Sequence, residues 1–266
     1  EPILTETAYF LINQMPEVNG APNPMSDINV RKALAFATDY ETLVATRAAD
    51  KFPVANGPFP EGQDGYLEDN GFPTFDLDQA TELVDAYEEE NGPLQIAYKT
   101  TTDPANLDTA ELLKDMWEEA GIEVTLDQIP QGEFIGQAIG GTFQVFGWRN
   151  HSGVADQQYQ WWTTENTETA LPLNFGRIQD PELDELMLTI RTSTDPAEQK
   201  QAAEEVNQLF ADNVYNIWTS WVYWVLAHGD NVHNVEGQPL PDGGTALNLG
   251  ANLAGVIQPA AIFKTE

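Results

Sequence analysis

Leu94 to Leu126 read LQIAYKTTTDPANLDTAELLKDMWEEAGIEVTL, and this stretch decides the fold class. Apolar residues alternate at both of its ends, as in half-buried strands, at Leu94, Ile96 and Tyr98 and again at Ile122, Val124 and Leu126. Between them an apolar stripe recurs at helical spacing and stops at a glycine: Ala110, Leu113, Trp117, Ala120 and then Gly121. A strand, a crossover helix and a second strand predict parallel pairing with a right-handed connection, and therefore an α/β protein.

Two helices and a long loop are predicted upstream of this unit. Ser26 or Asp27 can cap a helix whose apolar face is Val30, Ala33, Leu34 and Ala37. Residues 52 to 75 are rich in proline and glycine, which predicts a long ordered loop. Asp76 is predicted to cap the next helix, with Gln79 at its third position and Asn91-Gly92 at its end.

Downstream, the pattern continues to alternate between helices and strands. A short helix over residues 133–139 and a strand over residues 143–148 are predicted first. Asp180-Pro181 and Asp195-Pro196 each start a helix, and Glu198 is expected to complete a capping box in the second. Residues 215–226 are apolar on nearly both faces, which predicts a strand buried on both sides. The tail from Gly229 is expected to complete a sheet supplied by other residues.

Composition excludes several classes of function. The 43 acidic and 11 basic residues give a formal charge of −32, which repels nucleic acid and anionic lipid. The absence of cysteine removes disulfides, thiolate catalysis and cysteine-rich metal sites. No apolar run approaches the length that crosses a bilayer, and no signal peptide opens the chain, whose start reads as the middle of a longer protein.

The sequence offers little to catalysis or to metal binding. His228, Asp230 and His233 lie close together, but their spacing fits no metal motif, so we expect no metal site and no cofactor. A hydrolytic serine in a G-x-S-x-G elbow is absent. Among 43 acidic residues some pair will match the two carboxylates of a glycosidase by chance, and this enzyme class therefore stays an unsupported alternative.

One region combines aromatic rings with polar and ionic groups, as small-molecule pockets do. It begins at the end of a predicted strand and runs from Phe146 to Trp162. Its candidate ligand-binding residues are Trp148, Arg149, Asn150, His151, Asp156, Trp161 and Trp162. The chemistry of these residues supports a purely structural role equally well. In that alternative, Trp161 and Trp162 are core residues of a short helix and Asp156 is its N-cap.

Several segments, in order, resemble extracellular solute-binding protein family 5, the dipeptide-, oligopeptide- and nickel-binding group of ABC transporters. Residues 23–39, NPMSDINVRKALAFATD, are similar to the family segment NPPFxDxRVRQALAYAID. Later similarities follow in the family's order, at residues 57–60, 75–80, 110–124, 142–148, 155–156, 174–186 and 194–198.

The resemblance implies a periplasmic-binding-protein-like lobe of type II (cluster C), with a central mixed sheet flanked by helices. It implies that residues 13–225 form the second, C-terminal ligand-binding lobe of a two-lobe protein. Residues 1–12 would then be a crossover segment from the first lobe, and residues 226–266 a return segment to it.

The resemblance also implies a binding function without catalysis. The expected protein is a monomeric, extracytoplasmic solute-binding component that delivers a small ligand to the membrane subunits of an ABC permease. A short peptide is the leading ligand, and Asp156 is its expected ionic anchor, because an acidic residue in this region pairs with the ligand's α-ammonium in peptide-binding members. A sugar and a nickel chelate are the alternatives.

Overall fold

A mixed five-stranded sheet forms the centre of the molecule. The computed structural model describes residues 3–48, 51–150, 153–224, 227–235 and 262–265. The sheet contains β1 (Ile3–Ile12), β4 (Gln95–Thr101), β5 (Glu123–Ile129), β6 (Val145–Asn150) and β7 (Asn216–Trp224), and the short strands β2 (Glu17–Val18) and β3 (Ala21–Pro22) form a separate hairpin. The strand order is β5-β4-β6-β1-β7, with β4 parallel to both β5 and β6, and β1 antiparallel to both β6 and β7. The predicted α/β class with a central mixed sheet is confirmed.

Helices flank this sheet. They are α1 (Ile28–Phe36), α2 (Tyr40–Ala48), α3 (Leu77–Asn91), α4 (Pro104–Glu119), α5 (Gln131–Gly140), α6 (Tyr159–Trp162), α7 (Pro181–Thr192) and α8 (Pro196–Asn213). Aspartates start five of them, because each carboxylate accepts amide hydrogens of the first turn: Asp27, Asp76, Asp103, Asp180 and Asp195. The predicted helix starts at Asp27, Asp76, Asp180 and Asp195 are therefore confirmed, as is the end of α3 at Gly92.

The strand–helix–strand unit that decided the fold class is present as β4, α4 and β5. The two strands pair in parallel along their whole length, from Gln95 opposite Glu123 to Thr101 opposite Ile129. Trp117 of α4 is fully buried against this sheet, and its indole nitrogen donates to the Thr38 hydroxyl over 3.0 Å.

The prediction that β7 is buried on both faces is confirmed for residues 216–222. The loop predicted over residues 52–75 covers the outer edge of this strand. Its backbone bonds β7 through Ala55 N–H to the Thr219 carbonyl and through Trp221 N–H to the Pro53 carbonyl, each over 3.1 Å. The strand edge is therefore paired with the chain's own loop.

Arg31, in the segment that carries the family resemblance, joins α1 to the end of α8. Its guanidinium is 5% exposed and donates to the carbonyl oxygens of Met25, Ser26, Asn213 and Val214 at 2.9–3.2 Å. Burial lowers its pKa from the usual value to about 10. A cation at the carbonyl end of a helix is also favoured by the helix dipole.

The structure differs from the local predictions at α2 and at the start of α8. Helix α2 was not predicted. At α8, Asp195 accepts from the Ala197 amide as expected, but the Glu198 carboxylate accepts from the Ser193 hydroxyl instead of closing a capping box.

The proposed division of the chain stays a prediction. Strand β1, which covers most of residues 1–12, lies inside the sheet between β6 and β7. In the tail, β8 (Val232–His233) pairs with β9 (Phe263–Lys264), while residues 236–261 lie outside the described part of the chain.

Candidate ligand-binding cavity

A cavity of about 240 Å³ opens where the parallel strands β4 and β6 end. These strands pair at Tyr98 opposite Val145 and Lys99 opposite Phe146, so their carboxyl ends lie side by side. Helices α2, α4 and α5 supply the remaining walls. Ligands in open α/β sheets bind outside the carboxyl ends of parallel strands, where side chains from several loops and helices meet.

Stacked aromatic rings form one wall of the cavity. The Trp148 indole lies parallel to the Phe134 ring, with centroids 5.4 Å apart and planes 9° apart. Phe134 stacks in turn on Phe146 at 4.4 Å, and Phe175 meets Trp148 edge-on at 5.2 Å. These contacts hold the indole in place and offer a flat apolar surface to a ligand.

Three cations line the same cavity: Arg47 from α2, Lys99 from β4 and Arg149 from β6. Lys99 forms an ion pair with Asp127 of the neighbouring strand. Arg149 Nη1 lies 3.6 Å from Glu6 Oε2, and the Glu6 carboxylate is buried while the Arg149 side chain is 49% exposed. Within the described part of the chain, no aspartate or glutamate lines the cavity.

Arg47 lies in exposed position on the last turn of α2. Its pKa is lowered from the ordinary value, first by the surrounding protein atoms and then by repulsion from Arg149, against an opposing effect of Tyr98. Arg47 and Arg149 line the same cavity, so two guanidinium groups contribute positive charge to it.

Neutral hydrogen-bonding groups complete the walls. Asn106 of α4 donates from Nδ2 to the Thr101 hydroxyl over 2.7 Å, and both side chains line the cavity. Gln131 begins α5, whose N-cap Pro130 supplies no side-chain acceptor. The amino end of α5, which carries a partial positive charge, therefore lies beside the cavity without a side-chain hydrogen bond from its N-cap residue.

Gly147 fits the floor of the cavity because Tyr98 leaves no room for a side chain. A methyl group at Gly147 would lie 2.8 Å from the Tyr98 hydroxyl oxygen. Tyr98 is buried, and burial raises the pKa of its hydroxyl well above the ordinary value, so the group stays protonated.

Of the candidate ligand-binding residues, the structure brings Trp148 and Arg149 together in the cavity. Trp161 does not line this cavity, but its ring meets Phe175, which also contacts Trp148, at 5.4 Å. Trp162 is 2% exposed and packs against Phe210 at 4.4 Å in the core.

Asp156 does not line the cavity. Its carboxylate accepts from Arg191 Nε at 2.8 Å, both side chains are about half exposed, and Asp156 borders a separate space of about 150 Å³. The backbone of Asn150 belongs to β6, whereas the Asn150 side chain and all of His151 lie outside the described residues. The ligand-binding role of these seven residues stays a prediction.

Sequence reasoning did not find Arg47, Lys99 or Phe134. The available signal was the rarity of cations, since three of only 11 basic residues meet in one cavity. Within the residues that the structure describes, no group of three or more metal-ligand side chains occurs. His228 and His233 instead contact the Gly229 carbonyl and the Thr265 hydroxyl, each at 3.1 Å.

The fold is an α/β fold with a cavity at the carboxyl ends of two parallel strands, and comparison with known proteins gives its family. The family model for bacterial extracellular solute-binding proteins, family 5 Middle, matches residues 4–170. The chain belongs to this family.

Curated relatives include the oligopeptide-binding protein OppA of Mycobacterium tuberculosis. It is 23% identical over an alignment 209 positions long, which covers 72% of this chain and 34% of the relative. The chain therefore spans about a third of the length of that relative.

Solved structures share the fold. DppA from Helicobacter pylori, in complex with the peptide STSA, has a TM-score of 0.77 and 13% identity over 100% of this chain and 48% of its own. A mannohexaose-bound periplasmic oligopeptide-binding protein from Thermotoga maritima has a TM-score of 0.76 and 16% identity, over 98% and 52%. These likenesses confirm the predicted periplasmic-binding-protein-like lobe of type II.

Proposed function

We propose that this chain is one ligand-binding lobe of the solute-binding component of an ABC importer, which binds a short peptide and delivers it to a membrane permease. The cavity between the ends of β4 and β6 carries this proposal. It combines a fixed aromatic surface, neutral hydrogen-bonding groups and cations, which together suit a ligand with a polar backbone and varied side chains. Membership of family 5 supports the same function.

Closure against the first lobe, to which residues 1–12 and 226–266 would contribute crossover and return segments, is part of the proposal. The cavity of about 240 Å³ is smaller than complete small-molecule pockets, which measure roughly 300–1,000 Å³. Arg149 is half exposed at its edge, as expected for a wall that a ligand and a second lobe would cover. A ligand that contacts both walls stabilises the closed form by its differential affinity for it. The permease would dock on that form.

We further propose that the protein acts without catalysis, as a monomer outside the cytoplasmic membrane. Among the described residues that line the cavity, no carboxylate, histidine or serine offers a nucleophile or general base, which supports a binding role over the glycosidase alternative. The charge of −32 argues against nucleic-acid or anionic-lipid partners. Among the described residues, no helix combines the length and apolarity that a membrane span requires.

A carbohydrate is the second candidate ligand. Trp148 and Phe134 both line the cavity, and aromatic side chains are a common packing surface for a pyranose ring. Three cations beside the cavity, of which Lys99 pairs with Asp127 and Arg149 with Glu6, still leave more basic than acidic side chains there, and this favours a charged peptide over a neutral sugar.

A binding experiment separates these candidates. The complete protein that contains this lobe would be titrated calorimetrically with an equimolar mixture of random tri- to hexapeptides, with mannohexaose and with a nickel–histidine chelate, and the retained species identified by native mass spectrometry. We expect peptides to be retained and to stay intact on prolonged incubation. Retention of mannohexaose or the chelate alone would refute peptide binding, and hydrolysis of the retained peptide would refute a purely binding role.

A further inference from the structure

We infer that Asn19-Gly20 is a modification site, at which the folded protein deamidates spontaneously to aspartate and isoaspartate. Asn-Gly pairs occur at four places in the chain: Asn19-Gly20, Asn56-Gly57, Asn70-Gly71 and Asn91-Gly92. Glycine favours the reaction at all four, because it carries no side chain that would obstruct attack by its own amide nitrogen. The structure separates the first pair from the other three.

Deamidation joins the backbone to the asparagine side chain. The Gly20 nitrogen attacks Asn19 Cγ, a C–N bond forms, and the side-chain nitrogen leaves as ammonia with the proton that the Gly20 nitrogen loses. The resulting succinimide ring takes up one water, and it opens to aspartate or isoaspartate according to which carbonyl the water attacks. The reaction therefore needs a side chain that is free to turn toward the next residue and an amide N–H that is not held by an acceptor.

The turn between β2 and β3 meets both needs. Val18 pairs with Ala21, so the loop has two residues, and φ is 53° at Asn19 and 77° at Gly20, as a type I′ turn requires. Both turn residues are exposed. Within the described ranges, neither the Asn19 side chain nor the Gly20 amide makes a hydrogen bond. The hairpin has only two residue pairs, and so short a two-stranded ribbon opens readily.

The asparagines of the second and third pairs are held in one hydrogen-bonded network. Asn56 Nδ2 donates to the carbonyl oxygens of Leu67 and Glu68 at 3.1 and 3.0 Å. Asn70 is 3% exposed, and its Nδ2 donates to the Asn56 carbonyl at 2.9 Å and to Asn207 Oδ1 at 2.7 Å. These bonds must break before either side chain can turn toward the following glycine.

Asn91 is exposed, but the end of α3 holds both reacting groups. Its Nδ2 donates to the Tyr87 carbonyl over 2.9 Å, and the Gly92 N–H donates to the Glu88 carbonyl over 2.9 Å. The side chain and the nucleophile are therefore both occupied until the last helical turn frays. The loss of two hydrogen bonds makes the reactive form about tenfold or more rarer than at Asn19.

The test is a peptide map of the aged protein. The complete protein is incubated at mildly alkaline pH, below its melting transition, and cleaved after glutamate, which places the four Asn-Gly pairs in separate peptides. Mass spectrometry then follows the conversion of amide to acid in each peptide. We expect the Asn19 peptide to convert at least about tenfold faster than each of the other three. Equal or faster conversion at Asn56, Asn70 or Asn91 would overturn the inference.

Two variants locate the reaction in the intact chain. Asn19→Gly removes the reacting amide and keeps a residue that adopts positive φ, so it should abolish most of the early mass change. Asn91→Ala removes the amide of the exposed competitor and places a strong helix former there, so it should leave the early mass change as in the wild type. An early mass change that persists in Asn19→Gly, or disappears in Asn91→Ala, would count against the assignment.

Unfolded wild-type protein supplies the control for local sequence. In guanidinium chloride the turn, the network and the helix end are lost, so all four pairs should convert at similar rates. If Asn19 keeps its tenfold lead there, the neighbouring residues and not the hairpin set its reactivity, and the inference fails. This measurement and the wild-type map do not depend on the folding of either variant.

Discussion

Replacing Arg31 with methionine tests the contact that joins α1 to the end of α8. Methionine has a similar length but donates no hydrogen bond, so the carbonyl oxygens of Met25 and Val214, whose bonds to Arg31 are buried, lose their donor. Hydrogen bonds to charged groups contribute about 1.5–3 kcal/mol each, and two buried ones set the expected loss at about 3–5 kcal/mol. Since domains of this kind have about 5–15 kcal/mol in total, the variant should approach the limit of folding.

The assay is urea unfolding followed by circular dichroism, with Lys32→Met as the matched control. Lys32 lies beside Arg31 on α1 and is more exposed, so its replacement removes the same charge without the buried carbonyl contacts. The control should change the free energy of unfolding by less than about 0.5 kcal/mol. A loss below about 1 kcal/mol in Arg31→Met, or equal losses in both variants, would refute the assigned role of the guanidinium.

Three further predictions follow from the structure. In thermal melts, Gly147→Ala should destabilise the protein by about 1–3 kcal/mol because the new methyl meets the Tyr98 hydroxyl. The control Gly136→Ala in α5, which has open space around it, should be neutral or stabilising. Equal melting temperatures of the two variants would contradict the steric argument. Asp156→Asn should lower the free energy of unfolding by less than about 1 kcal/mol, because its ion pair with Arg191 is half exposed, and it should leave the affinity for peptide unchanged. A fall in calorimetric affinity by about two to four decades would instead establish Asp156 as the anchor of the ligand's ammonium group. Raising NaCl from 0.1 to 1 M should raise the melting temperature, since it screens repulsion within a chain of net charge −32, and a constant or lower value would show that this repulsion is not a significant cost.

The elements that could be predicted are those whose signals lie close together in the sequence. Asp76 and Asp180 cap helices through amides two or three residues away, and the apolar stripe from Ala110 to Ala120 needs only helical spacing. Helix α2 was not predicted because its buried side chains, Tyr40, Leu43 and Val44, form an apolar stripe too short to indicate a helix.

The site could be predicted only in part, because its geometry is non-local. Trp148 and Arg149 follow a predicted strand and were found. Arg47 and Lys99 come from elements 50 to 100 residues earlier, and only the strand order β4-β6-β1-β7 places them beside Arg149. The pairing of Asp156 with Arg191, 35 residues away, likewise has no local signal.

Filling the cavity tests the central claim most directly. Ile135 of α5 lines the cavity and is 42% exposed, so Ile135→Trp can reduce the cavity without disturbing the core. Leu188 of α7 is 48% exposed and does not line it, which makes Leu188→Trp the matched control.

Calorimetric titration of both variants of the complete protein with the peptide that the wild type retains best is the decisive measurement. We predict that Ile135→Trp lowers affinity by at least about tenfold at an unchanged melting temperature, while Leu188→Trp binds as the wild type does. Wild-type affinity in Ile135→Trp would contradict the assignment of this cavity as the ligand-binding site.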